Sequence, residues 1–475
     1  MMTHLTRLPR TTPEEAGIPS RAIEAFIDQL AQDQFEAHGF MIVRHGRVAA
    51  EGWWKPYSPE LPHLVFSITK SFTSTAVGFA VQEGLLSLED RVASFFPDEL
   101  PSSPSDRLLA MTVQHLLAMA TGHDGDPTEQ AVMTGGDWVR AFLEARIPYE
   151  PGTHFVYNSG ASHILGLIVE RVSGVGLQTF LSSRLLQPLG IHPADWMTLQ
   201  GGHEAGGFGL CLKLEDVAKL GILYEQKGIW NGERLLEEKW IDASAALQVS
   251  NGDDPNSDWS QGYGYQLWRC RYGAYRFAGL FAQKCVIIPS HHAVIAVNSA
   301  DWNEQALLNA IWTHLLPAMS EQPLPVDESA NAKLNRRLLT LDTIAADDRP
   351  VPVQSVLLNR KYRLEPNKAE ILEMTIHETN NGITAVLQGA GGEKMLHFGI
   401  DRWTYAGEGL KSTAARAQWL SADELRLVLY EVWTPFKLTI TIRTAAEGAE
   451  LHIVRNVSWE VIGWPDWNET VRCVG

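Results

Sequence analysis

Cysteine is scarce and scattered in this chain of 475 residues: four occur, Cys211, Cys270, Cys285 and Cys473, with no C-x-x-C pair and no zinc-like spacing. That argues against a disulfide framework or a structural metal, and for buried thiols in a reducing compartment. Long apolar runs are missing as well. No uninterrupted stretch reaches the ~18 residues of a membrane-crossing helix, and the opening MMTHLTRLPRTTPEEAG lacks the apolar centre of a secretory leader. The expectation is a soluble, cytoplasmic protein with no membrane span. Cations are in deficit: 39 Lys and Arg face 56 Asp and Glu, a formal charge of −17. Nucleic acid and anionic membranes are poor partners for such a surface. Internal repeats and low-complexity tracts are absent too.

What is present suffices for two domains, one of them large enough for a full core. Residues 21–32, RAIEAFIDQLAQ, place Ile23, Phe26, Ile27 and Leu30 on one helical face, with Ser20 as the expected cap. HGFMIVRHGRVAAEGWW reads as two strands joined at His45-Gly46. A mostly helical stretch follows. Ser87-Leu88-Glu89-Asp90 has a capping-box pattern, Thr112 and Asp137 are placed to cap helices, and Gly160 and Gly174 frame another. From Gly262 the period changes to two: YGYQLWRC, AYRFAGL, KCVIIP and HAVIAVNS read as strands, and Asn303 opens a closing helix through Leu316. Strands at both ends with helices between predict an α+β fold, one antiparallel sheet flanked by helices and carrying a helical subdomain. The expected boundaries are 1–318 for this domain, 319–350 for a proline-marked linker, and 351–475 for an all-β domain. The last contains a hairpin, ILEMTIHETNNGITAVLQG, with Asn381-Gly382 as its turn.

Chemistry concentrates at Phe66-Ser67-Ile68-Thr69-Lys70-Ser71. On a helix Ser67 and Lys70 share a face, putting a nucleophile beside a base. A capping serine and a surface lysine give the same spacing, but the following SFTSTAVGFAVQEG is apolar enough to bury the lysine and disfavour its ammonium form. A Ser/Lys pair needs a third group to reach the leaving atom. Tyr157, just ahead of the helix from Gly160, is the candidate, its phenolate expected to be stabilised by the helix terminus and the lysine. His291-His292 lacks a third ligand, so no metal is expected.

Taken together, SITKS, the Tyr157-Asn158-Ser159 triplet about ninety residues on, GGFGL, and YGYQLW with the strand near Gly279 resemble the serine β-lactamase and penicillin-recognising superfamily. The likeness is closest to its class C-like branch of esterases, D-aminopeptidases and amide-dimer hydrolases, over residues 21–316. The resemblance implies a β-lactamase-like fold, Ser67 as acyl-forming nucleophile, Lys70 as its base and Tyr157 as acid/base. It implies an oxyanion hole from the Ser67 and Leu280 amides, and Ser159, Phe277 and Gly279 as substrate-facing positions. Phe277 stands where the family carries a basic residue, and Ser159 where it usually carries asparagine. Phenylalanine cannot hold a carboxylate. The expected activity is therefore that of a cofactor-independent carboxylesterase on small esters. Amide hydrolysis, D-aminopeptidase action or weak β-lactamase action are the alternatives, and a non-catalytic ligand-binding or scaffold protein of the same fold is a further one. A homo-oligomer is compatible with all of them.

Overall fold

The computed structural model describes residues 7–129, 131, 135–193, 195–344, 355–445, 448–458 and 465–473. It divides into two compact units, Met1–Gly52 with Pro62–Thr340, and Trp53–Leu61 with Leu341–Gly475.

The first unit is built on a six-stranded sheet. Its strands are β1 (Ala37–Arg44), β2 (Arg47–Trp53), β3 (Trp268–Arg269), β4 (Tyr275–Gly279), β5 (Gln283–Ile288) and β6 (Ala293–Ser299), in the order β2-β1-β6-β5-β4-β3. Two strands from the start of the chain thus join four from its later part, as the change of period implies. β1 and β6 are buried at every residue, which requires cover on both faces.

The register identifies that cover. Cys285 lies opposite Phe277 and Ala296, and Ala296 opposite Met41. This face carries the helix Leu214–Glu225, because a Cβ on its Gly221 would meet Cys285 Sγ at 2.5 Å and Val294 Cγ1 at 2.7 Å. Lys284 lies opposite Ala278 and Val297, and Val297 opposite Phe40. That face carries the helix Ser20–Gln32, whose Phe26 meets Phe40 edge-on at 5.8 Å.

Six helices bear on the site and its supports: α1 (Ser20–Gln32), α2 (Thr69–Gln82), α3 (Ser159–Ser173), α4 (Leu214–Glu225), α5 (Glu304–Ala310) and α6 (Glu328–Leu339). α2 is buried from Thr69 through Ala80, as its uncharged sequence predicts, and Gly84 follows it with φ +71°. Some local expectations shift. Ser20 lies inside α1 after Pro19, its N–H held by Glu14 Oε1 at 2.8 Å. Asp90 Oδ2 does accept the Ser87 N–H at 2.8 Å, but the chain only turns there, and Pro97 follows the short 3-10 turn Val92–Phe95. Among the described residues no single helix is long and apolar enough to cross a membrane.

The expected linker 319–350 needs correction. α6 packs on α1 through Ala330 and Leu334, with Lys333–Glu24 at 2.9 Å and Arg337–Asp28 at 3.1 Å, so the first unit runs to Thr340. Asp347, Asp348 and Pro350 of that segment lie outside the described residues.

The second unit is all β, a ten-stranded sheet closed around a core that includes Met374, Ile376, Leu425, Ile442 and Leu451. The expected hairpin forms one residue early: Asn380 and Asn381 make the turn, and Gly382 already pairs with Thr379. Trp53–Leu61 belongs to this unit. Tyr57 packs with Ala414, Val428, Tyr430 and Val432, and its hydroxyl donates to Thr434 O at 2.9 Å.

Candidate active site

The segment before Ser67 is held by β-type pairing: His63–Leu64 pairs with Leu210–Leu212, and the Val65 N–H donates to Leu210 O at 3.0 Å. Phe66 then adopts φ +47°, a left-handed conformation that bulky residues avoid without compensation. Here it reverses the chain into the 3-10 turn Phe66–Ile68, which feeds directly into α2. Thr69 locks the reversal, its Oγ1 donating to Phe66 O at 2.6 Å and accepting the Leu210 N–H at 3.2 Å. Ser67 is left half-buried at the mouth of the helix, and Lys70, one turn on, is 1% exposed.

Lys70 Nζ lies 3.1 Å from Ser67 Oγ, 3.2 Å from Ser159 Oγ and 2.7 Å from Gly207 O. A Cβ at Gly207 would stand 3.3 Å from this nitrogen, so the glycine makes room for it. Burial lowers the lysine to about 7 from an ordinary 10.5, opposed by the charge of Asp126. A displacement of that size corresponds to roughly 5 kcal/mol against the ammonium form.

Tyr157 reaches the same point from the residue pair ahead of α3. Its hydroxyl hydrogen-bonds to Ser67, and its ring centroid is 4.9 Å from Lys70 Nζ. Trp268 stacks on it at 5.6 Å and an interplanar angle of 25°. The expectation of a stabilised phenolate does not hold: burial drives the phenol well above its usual range, opposed only in part by the bond to Ser67. Near neutral pH the group is an acid, with its proton in place.

Two residues aim α3: Asn158, which enters the sequence argument only as the middle of the Tyr157-Asn158-Ser159 triplet, and Asp126, which has no part in it. Asn158 is the cap, its Oδ1 accepting the Ala161 N–H at 3.0 Å, and Asp126 Oδ2 accepts the Ser159 N–H at 2.7 Å. Asp126 thus fixes the helix end that carries Ser159, and its charge favours the ammonium form of Lys70 against burial. Ser159 itself serves the lysine.

On the opposite wall, Gly279 ends β4. A Cβ there would fall 2.2 Å from Val65 O, so only glycine lets this strand lie against the segment leading to Ser67. Leu280 begins the turn 280–282, in which Phe281 and Ala282 both take left-handed φ values, +58° and +60°. Buried Gln283 braces the turn: its Nε2 donates to Phe281 O at 3.0 Å and Ser299 O at 2.6 Å, while Ser299 Oγ donates to Ala282 O at 2.9 Å. Neither residue carried a signal in the sequence beyond its place in a strand.

Residues 23–316 match the family model described as Beta-lactamase. The chain belongs to the beta-lactamase family of serine hydrolases. The 6-aminohexanoate-dimer hydrolase of Paenarthrobacter ureafaciens is 24% identical over 331 residues, 63% of this chain and 81% of that protein. Among solved structures, a putative 6-aminohexanoate-dimer hydrolase from Bacillus anthracis aligns with a TM-score of 0.56 at 21% identity, over 68% of this chain and 90% of its own. EstCE1, described as a hydrolase with promiscuous acyltransferase activity, aligns with a TM-score of 0.52 at 16% identity, over 63% and 99%. At these identities the structural likeness speaks for the fold.

Against this family background one position needs correction. Phe277 does not face the site; it is fully buried, its ring edge-on to Tyr224 at 5.0 Å on the α4 side of the sheet. Two cations lie on the other face: Arg276, in the strand itself and fully buried, its Nη1 donating to Asp258 O at 2.8 Å and Cys270 Sγ at 3.1 Å, and Lys284 on the neighbouring strand. Lys284 is fully buried, 3.3 Å from Gly279 O, and ion-paired to Glu304 at 2.6 Å.

Proposed function

We propose that the chain is a cofactor-independent hydrolase that forms an acyl-enzyme on Ser67, with small esters as its substrates. The observation that carries this is the 3.1 Å approach of Lys70 Nζ to Ser67 Oγ in a setting that brings the lysine to about 7. A neutral amine has two protons and one lone pair. Directing the protons at Gly207 O and Ser159 Oγ leaves the lone pair to take the Ser67 proton as the hydroxyl attacks a carbonyl. Tyr157, a neutral phenol bonded to Ser67, gives a proton to the leaving alkoxide and recovers one from the water that later releases the acid. The oxyanion is assigned to the Ser67 and Leu280 amides, one at the head of α2 and the other on the braced turn beside Gly279; such donors are each worth about 10²–10³ in rate.

Two features favour neutral esters over β-lactams or peptide C-termini. The strand position at which the family has a base is a buried phenylalanine; Lys284 is ion-paired to Glu304, and the guanidinium of Arg276, in the same strand, is buried and turned to Asp258 O and Cys270 Sγ. A short linear amide is the second reading, favoured by the relative named as a 6-aminohexanoate-dimer hydrolase. Turnover of short p-nitrophenyl esters, D-amino-acid amides and a chromogenic cephalosporin separates the cases. Esters are expected to react fastest, and a fluorophosphonate probe to label Ser67. Reaction with the cephalosporin alone would overturn the ester assignment; absence of any Ser67 adduct would favour a scaffold of the same fold.

A further inference from the structure

The all-β unit contains a cavity of about 460 Å³, within the range of small-molecule sites. Cross-strand register explains its lining. Leu429 lies opposite Leu438, Leu438 opposite Arg455, and Leu387 opposite Lys394, so these side chains share one face of the sheet in neighbouring rows. Ile371 and Phe436 complete an apolar floor.

Polar groups are gathered on the same wall. Lys394 and Arg455 stand against the carboxylates Glu370 and Glu431, while Lys437, paired with Tyr430, projects to the other face of the sheet. Burial moves Glu431 upward, toward its neutral acid, although Arg455 and Lys394 both oppose the change. The anionic side of the balance is therefore weaker than a count of residues suggests. The Arg455 guanidinium lies 3.8 Å from the ring centroid of Trp467, whose buried Nε1 has no hydrogen-bond partner. A buried donor left without an acceptor is costly, and at a cavity wall it marks where an oxygen would be received.

We infer that this cavity is a binding site for a carboxylate with an unbranched apolar tail of roughly eight to ten carbons, its tail on the Leu387, Leu429 and Leu438 floor and its carboxylate toward Lys394, Arg455 and Trp467. The site lies wholly within the second unit, and the inference does not depend on the hydrolase assignment.

Titration calorimetry of the full chain with sodium octanoate tests it, with octylammonium and octan-1-ol as controls. One octanoate per chain is expected, with the controls at least tenfold weaker. Lys394→Glu, at an exposed position, and Trp467→Phe, which removes only the donor, should each weaken octanoate binding, and together at least tenfold, while p-nitrophenyl ester turnover stays unchanged. Octanoate that fails to saturate the protein by about 5 mM, octylammonium that binds equally well, or an affinity indifferent to both substitutions would each overturn the site.

Discussion

At the Lys70 side chain two effects compete. Burial strips water from the ammonium and drives the group down to about 7, while Asp126 pulls the other way. Because the base form is the deprotonated one, kcat/KM for an ester should climb as pH rises through about 7. A profile flat from mildly acidic to mildly basic pH would assign the limiting proton elsewhere. Lys70→Ala and Ser67→Ala should each lower kcat/KM by at least roughly 10³-fold, as losing one member of a nucleophile–base pair does elsewhere. Asp126→Asn makes a sharper test. Removing its charge lets burial act less opposed, so the rising limb should move to lower pH. A residue that served only to cap α3 would reduce kcat without moving the profile. The sequence displayed Ser67, Lys70 and Tyr157 because their spacing and apolar context are local. It did not display Asp126, which reaches Ser159 across 33 positions through a loop without periodicity.

Among the elements, β4 and α2 meet where a backbone replaces a side chain. Gly279→Ala would press a methyl group onto Val65 O, and the strand must withdraw from the segment that presents Ser67. The expected result is a fall in kcat of at least tenfold, read by steady-state kinetics, with the unfolding midpoint changed little because the strand's other pairings persist. An equal loss of stability and activity would mean general disruption. The larger elements were legible where hydrophobic period is strong: α1, α2, α3, and β4 through β6 all fall within a few residues of the pattern. The failures have a common physical cause. Ser87 through Asp90 satisfies its own hydrogen bonds in a turn, and YGYQLWRC alternates well but forms a strand only over Trp268–Arg269, with Tyr263 adding single bridges to Val249 and Trp268. Local chemistry was read correctly in both; what tertiary packing allowed to continue was not.

For the whole molecule, chain order and folded units do not coincide. Trp53–Leu61 leaves the first unit's sequence to complete the core of the second, and a docked loop of nine residues has no period from which to read its destination. Tyr57 is the buried anchor of that attachment, beside Trp53 and Leu61: its ring is edge-on to Tyr430 at 5.6 Å, and its hydroxyl is bonded to Thr434 O. Tyr57→Ala should destabilise the second unit by about 3–5 kcal/mol, the usual cost of removing a buried aromatic. Hydrogen exchange is the check, through faster exchange in Thr413–Ser421 and Glu424–Glu431 with the strands β4 to β6 unchanged. Uniform protection in the variant would show that the loop adds little.

The most direct test tracks the Lys70 amine itself, by NMR titration of the side-chain carbon next to it in a lysine-labelled protein, with Lys70→Arg to assign the signal. A midpoint near 7 is the result expected of a buried base poised to deprotonate Ser67. A lysine that keeps its proton to above pH 10 would contradict it.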